Sequence, residues 1–256
     1  MDAVSSDATL EILKRYGARI LVDTIGSLGY SRQLGVEAAK GVYVMFVDSD
    51  VELGYSCITT LRRELEGFGW VGIHAKILSR ENGSYWQSAE DENFSLYFNH
   101  IGPKAHIGTI AAMFRRDALV KCPFDTNLTL SSEDIDVCVR LGRDGYKVGV
   151  SSAIAYHLHR RAFLSFVRRR FNYGLGDAQF AIKYGAIREK VVGDAETAVS
   201  QTIRSVVTGK LHLVPYWLTS HVASFLGLLV GLSRTRKTLK PPSGHKVSEH
   251  VRSVEV

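Results

Sequence analysis

Two carboxylates one residue apart, Asp48 and Asp50, close the run Val42-Tyr43-Val44-Met45-Phe46-Val47. Acids at that spacing can share one divalent cation, or divide their work between a cation and a sugar hydroxyl, and oxygen-only ligands favour Mg2+ or Mn2+ over zinc. The same Asp-Ser-Asp also suits plain turn chemistry, because Asp bonds its own following backbone and ends strands well. An EF-hand is excluded, since nothing after Asp50 supplies the spaced oxygens and late Glu of a calcium loop.

A second acidic group, Glu133-Asp134-Ile135-Asp136, follows Ser131-Ser132 at a helix start. Acids in a first turn complement the helix dipole, which explains at least one of them. A carboxylate held near a metal-bound diphosphate can instead serve as general base toward an acceptor hydroxyl. His157 and His159 are spaced for metal binding by one or both, and equally for a hydrogen-bonded core role. Gly26 to Arg32 can cradle phosphate through backbone amides and the Arg32 guanidinium, or simply form a connecting turn.

These residues need a scaffold, and the chain spells one out. A helix is expected from Ser5 to Tyr16, capped by Ser5, Ser6 or Asp7 and closed by Gly17, then a short strand at Arg19 to Val22. The loop at Gly26 runs into a helix to Lys40, and the apolar run ending at Asp48 reads as a strand covered on both faces. The α, β, α, β order implies a parallel sheet with helical crossovers, whose ligands bind beyond the strands' carboxyl ends. Further on come a helix at Ser56 to Glu66, a strand at Trp70 to Leu78, and an unassigned stretch from Arg80 to Asn99. The segment Gly108 to Phe114 enters a helix at Arg115 to Val120, the acidic helix runs to Asp144-Gly145, and a short strand at Tyr146 to Val150 leads to His157.

The chain has 256 residues, 45% of them apolar, enough for a full core, and a formal charge of +6. The cations cluster at Arg160-Arg161, Arg168-Arg169-Arg170 and from Arg234 to Lys240, which suggests an anionic partner. Three cysteines without ligand spacing indicate neither a disulfide framework nor a zinc site. Arg160 to Tyr184 reads as a basic amphipathic helix, and Leu211 to Leu232 is apolar and long enough for a membrane span. The apolar segment favours a membrane surface over nucleic acid, for which no recognition motif is present.

In order and spacing the chain resembles the family 2 glycosyltransferases, inverting enzymes of the GT-A fold. SSDATLEIL is similar to the family's Ser-Thr-Asp-Gly-Thr helix start, and GYSRQLGVEAAKGVYVMFVDSD to its Ala-Arg-Asn-x-Gly helix and Asp-x-Asp strand. GTIAAMFRRDAL resembles the small-residue segment lining the donor and acceptor site, and SSEDIDVCVRLGRDGYKVGVSSAIAYHLH the Glu-Asp motif with the histidine beyond. The resemblance covers residues 2 to 175. It implies an α/β GT-A fold, a Rossmann-like mixed sheet flanked by helices, built for nucleotide-diphospho-sugar transfer. It further implies that Asp50 coordinates the cation on the donor diphosphate, with Asp48 on the ribose or sharing the metal. Asp134 becomes the catalytic base, Glu133 its supporting neighbour, and His157 a further metal ligand. Asp2, Arg32 and Gly108 fall at positions that face the nucleotide or donor. Gln33 stands where the family has Asn, and Ala3 replaces the partner of the acid at Asp2.

The family's opening Val-Ile-Ile-Pro-x-Tyr-Asn strand and helix have no counterpart, so an amino-terminally incomplete GT-A domain is expected over residues 1–205, with an exposed sheet edge. Residues 206–256 are expected to form an apolar helix and basic tail associated with the cytoplasmic face of a membrane, interfacial or re-entrant near Pro215 because one span cannot leave both flanks in the cytosol, with a core-covering helix as the alternative. The expected reaction moves a sugar from a UDP, GDP or dTDP donor to a lipid-linked or glycan acceptor. A catalytically inactive homologue acting as a membrane-proximal partner is the rival. A nucleotidyltransferase, which also pairs acids on a related sheet, is disfavoured by the Glu-Asp helix and by the lack of an amino-terminal Gly-rich signature.

Overall fold

The computed structural model describes residues 1–2, 5–80 and 83–235. Ala3 and the tail cations Arg236, Lys237 and Lys240 lie outside them. In chain order the elements are α1 (Thr9–Arg15), α2 (Leu28–Ala38), β1 (Tyr43–Val47), β2 (Val51–Leu53), α3 (Cys57–Phe68), β3 (Gly72–Leu78), α4 (Tyr85–Asn93) with a π turn at Phe94–Phe98, β4 (Gly102–Lys104), β5 (Ala111–Arg115), α5 (Arg116–Lys121), α6 (Glu133–Arg143), β6 (Val148–His157), α7 (Phe163–Tyr184), α8 (Ile187–Val207), a 3-10 turn at Leu211–Leu213, and α9 (Val214–Thr235).

The sheet runs β1-β5-β3-β6-β2, with β4 also on β6. It is mixed. Only β3 and β6 pair in parallel among the named strands, and the β1–β5, β3–β5, β2–β6 and β4–β6 pairs are antiparallel. The parallel sheet suggested by element order is therefore corrected: β5 inserts between β1 and β3 and runs against both.

Strand periodicity divides the core between the two faces. On β5, Ala112 and Phe114 join Val44, Val137, Leu141 and Val150 on one side, while Ala111 and Met113 join Leu61, Leu65, Ile73 and Ile77 on the other. β1 follows suit, with Phe46 packed on the first cluster and Tyr43 and Met45 on the second, so both faces are covered as its unbroken apolar run implies. Within β1 only Val44 is fully buried, because the strand ends the sheet and pairs on one side alone. A third cluster of Ala89, Tyr97, Phe166, Leu213, Tyr216 and Trp217 binds α4, α7 and α9 together.

Other departures have local causes. The strand expected at Arg19 to Val22 reduces to one bridge between Asp2 and Val22. α1 starts at Thr9 with no side-chain cap at Ala8, although Asp7 accepts from the Thr9 amide at 3.0 Å. α6 is not capped by serine: Ser132 sits at φ 66, the sole non-glycine positive φ among the described residues, and its hydroxyl donates to Asp177 at 2.9 Å instead. The unassigned Arg80 to Asn99 stretch holds α4 and the π turn.

Candidate active site

β1 leaves the sheet after Val47, turns through Asp48-Ser49-Asp50, and re-enters as β2 against the opposite side of the sheet, on β6. The turn is held by Asp48 N donating to Ile110 O (2.9 Å) and Val51 N to Asp48 O (3.1 Å). Both acids thus sit where the chain crosses from one edge to the other.

Register then decides who meets them. β2 pairs with the end of β6 so that Val51 lies opposite His157, and Leu158 N donates to Asp50 O at 2.9 Å. His157 Nε2 comes 3.4 Å from Asp50 Oδ1, and Arg160 Nη2 3.8 Å from Oδ2. The hydrogen bond from His157 holds the Asp50 carboxyl below its ordinary pKa, against the opposing effect of burial. Asp48 goes the other way. Burial raises its pKa, with Arg32 pulling it down and Asp50 adding to the rise. The two acids of one motif are electrostatically distinct.

Behind Asp50 the two histidines form a relay, with 2.7 Å between His157 Nδ1 and His159 Nδ1. Burial, then the neighbouring His157, lowers the His159 pKa to about 4. A neutral His159 donating through Nδ1 leaves His157 Nδ1 as acceptor and its Nε2–H for Asp50.

The acidic helix start divides its three carboxylates among three jobs. Asp136 is fully buried and accepts from Arg140, Tyr184 (2.7 Å) and Lys183, tying α6 to the end of α7. Glu133, 1% exposed, is paired with Arg32 of α2. Asp134 is partly exposed; its Oδ1 accepts from the Ile135 amide at 2.8 Å, and its Oδ2 faces Gly108, where an added Cβ would lie 3.7 Å from it and 3.9 Å from His74 Nε2. Burial brings the His74 pKa down to about 4. His106 is also lowered by burial, with Asp134 opposing that shift.

Arg32 joins the two poles. Besides Glu133 it reaches Asp48 Oδ1 at 3.9 Å, so acids far apart in sequence share one guanidinium. It stands in the second turn of α2, not in a phosphate-cradling loop. The amides of that loop are already engaged: Asp23 accepts from Ile25 N (2.7 Å), Gly26 N (3.0 Å) and Ser27 N (3.2 Å). The backbone cradle expected at Gly26 to Arg32 is thus occupied by the protein's own carboxylate. Asp2 accepts from the Ser5 amide (3.1 Å) and hydroxyl (2.6 Å).

Buried polar atoms without a hydrogen-bond partner among the described residues include Glu133 Oε2, His74 Nε2, His106 Nδ1 and Thr109 Oγ1, on residues at or next to the Asp134–Gly108 approach, and His159 Nε2 behind His157. Such atoms are costly unless a ligand or water completes them. The sequence offers no signal for His74 or His106, since a lone histidine in an apolar strand or in a loop carries no motif. The arginine run is also reassigned. Arg170 turns inward to Glu90 and Tyr216, and Arg169 donates to Tyr173 while adding a minor positive influence at Asp48 and Asp50. One exposed basic face is not formed, because the helical turn sends adjacent residues to different sides. No three His, Cys, Asp or Glu side chains converge as a metal cage among the described residues.

Residues 1–122 match the family model described as glycosyl transferase family 2. The match ends before Glu133. No curated protein matches the chain by sequence. Among solved structures, the mannosyltransferase PcManGT from Pyrobaculum calidifontis, in complex with GDP-Man and Mn2+, superposes with a TM-score of 0.62 at 14% identity, over 90% of this chain and 76% of that one. GalNAc-T7 with UDP, GalNAc and Mn2+ gives 0.48 at 11% identity, over 60% of this chain, which spans 35% of that protein's length. TarS 1-349 of S. aureus with UDP-GlcNAc gives 0.45 at 15%, over 92% and 81%. These last two likenesses are too loose to bear on the fold. The sequence match over residues 1–122 and the GT-A architecture of the mixed sheet together mark a glycosyl transferase family 2 domain in this chain.

Proposed function

We propose that the crevice between the Asp48–Asp50 turn and the start of α6 transfers a sugar from a nucleotide-diphosphate donor to an acceptor hydroxyl, with inversion. The observation that carries this reading is the Arg32 bridge, which brings the Asp48 turn beside Glu133 and so next to Asp134.

In this reading Asp50 and His157 hold a divalent cation, Mg2+ or Mn2+, with Asp48 sharing it or bonding the ribose. Two protein ligands would suit a cation that is bound together with a diphosphate, for which an all-protein cage is not required. When bound, the cation neutralises charge growing on the leaving diphosphate. His157 must then offer the Nε2 lone pair, so its proton moves to Nδ1 and its bond to His159 reverses direction. Arg160 and Arg169 add positive potential at the same pole.

Asp134 accepts the proton of the acceptor hydroxyl as that oxygen attacks the anomeric carbon. The new bond forms on the face opposite the departing diphosphate oxygen, which leaves with the electrons of the broken bond. Inversion follows from this in-line geometry. Gly108 leaves room for the reacting groups between Asp134 and His74, whose unpaired Nε2 is an acceptor for a hydroxyl. Glu133 holds Arg32 in place. The proposed acceptor is lipid-linked or a glycan. Isothermal titration of the purified chain with UDP, GDP and dTDP sugars in the presence of Mn2+ tests the reading. Binding of one donor that requires Mn2+ supports it, and no heat from any of them overturns it.

A further inference from the structure

α9 wears its polarity inside out. Its polar side chains point into the protein: Tyr216 Oη donates to Glu90 Oε2 (2.6 Å), Trp217 Nε1 donates to Ser205 Oγ (3.0 Å), and His221 Nε2 pairs with Gln201 Oε1 (2.8 Å). Every exposed side chain from residue 214 to residue 230 is apolar: Pro215, Leu218, Val222, Phe225, Leu226 and Leu229. The last five recur at i, i+4, i+7, i+8 and i+11, which is one helical face. Leu218 and Val222 are 54% and 58% exposed.

That face fits hydrocarbon better than another protein. A protein interface carries about one hydrogen bond per 100–200 Å2 and mixes polar groups into its surface, whereas this row has no side-chain donor or acceptor. Neighbouring α8 also exposes apolar residues, Val192, Val199, Ile203 and Val206 among them, but exposed Arg188, Glu196, Ser200 and Arg204 stand between them, whereas no exposed polar side chain interrupts the row on α9.

The segment Leu211–Arg234 is long and apolar enough to cross a membrane, yet its surroundings argue for lying in one. Tyr216 and Trp217 are buried in the cluster shared with α4 and α7, which anchors the first turn in the catalytic body. α7 covers another side at backbone contact, with Gly174 and Gly227 face to face. The exposed row spans about 16 Å at ~1.5 Å per residue, roughly half of a ~30 Å hydrocarbon core. Exposed Arg234 follows it, and the sequence continues with Arg236, Lys237 and Lys240.

We propose that α9 lies in the plane of an anionic bilayer leaflet, with Leu218, Val222, Phe225, Leu226 and Leu229 at the acyl boundary and the basic end among the headgroups. This stands on α9 itself and is independent of the transferase reading. The test is co-flotation of the full chain with phosphatidylcholine vesicles, with and without phosphatidylglycerol. Wild type should float with the anionic vesicles and be released by alkaline carbonate. Combining Leu218→Ser, Val222→Ser and Leu229→Ser should lower partitioning on the order of a hundredfold, with an unchanged circular dichroism spectrum. Failure of wild type to float, or flotation of the triple variant as strong as wild type, overturns the proposal. So does a concentration-dependent dimer in light scattering that the triple variant abolishes while vesicles are ignored, which assigns the face to a second copy. Carbonate-resistant retention overturns the in-plane orientation in favour of a span.

Discussion

At the scale of single residues, the decisive fact is that neighbouring acids are sorted by their partners. Asp50 is hydrogen-bonded to His157, while Asp48 is half-buried beside Arg32 with its pKa raised. Asp50→Asn should therefore weaken Mn2+-dependent donor binding more than Asp48→Asn, measured by titration calorimetry. Asp134→Asn should leave donor binding intact and lower turnover by about 10²–10⁴-fold, read as kcat with the donor saturating. Arg32 is a different case, because removing it strands Glu133 at 1% exposure. Arg32→Met should cost about 3–5 kcal/mol in denaturant unfolding, and adding Glu133→Leu should recover most of it, since a buried pair replaced whole is tolerated far better than a broken one.

At the scale of elements, β6 and the α7–α9 pair do most of the positioning. β6 is shared by β3, β4 and β2, and its last residues carry His157 to Asp50. α7 and α9 approach so closely that a Cβ on Gly174 would fall 1.8 Å from Ser224 O, and one on Gly227 2.0 Å from Phe171 O. Those contacts are with backbone, which cannot swing aside. Gly227→Ala should push the helices apart and cost about 1–3 kcal/mol, seen as a lower denaturation midpoint. The arginines on α7 show why charge runs mislead. Read along the sequence they form one basic patch, but Arg170 satisfies buried Glu90 and Arg169 donates to Tyr173 on the next turn.

At the scale of the whole molecule, buried neutral histidines make stability depend on pH. His74, His159 and His221 are all lowered to about 4, in each case first by burial. Unfolded, such rings take up a proton near pH 6.5. The folded state therefore binds fewer protons across the interval between, so this stability is complete above about pH 6.5 and is lost as pH falls toward about 4. Tm followed by calorimetry should drop through that window with a slope of more than one proton. His74→Leu should flatten it by about one proton, and a Tm independent of pH there would contradict the assignment.

Much of the scaffold was legible because local physics wrote it. The unbroken apolar run before Asp48, the Gly17 and Asp144-Gly145 stops after α1 and α6, and the acids opening α6 mark elements through periodicity and termini, which need no distant partner. The sequence by itself thus determined the family resemblance, the strand-end acids, the Glu-Asp helix and the apolar carboxyl-terminal helix. What it left open turned on register and on which residues fill a shared space. Nothing local says that β5 runs between β1 and β3, that Asp23 occupies the amides before α2, or that Arg32 bridges Asp48 and Glu133. His74 lay hidden for the same reason, since only burial opposite Gly108 separates it from any other strand histidine. Pairing across the sheet and desolvation are properties of the assembled chain. They alone decided which carboxylate meets His157, which holds an arginine, and which is left open toward Gly108.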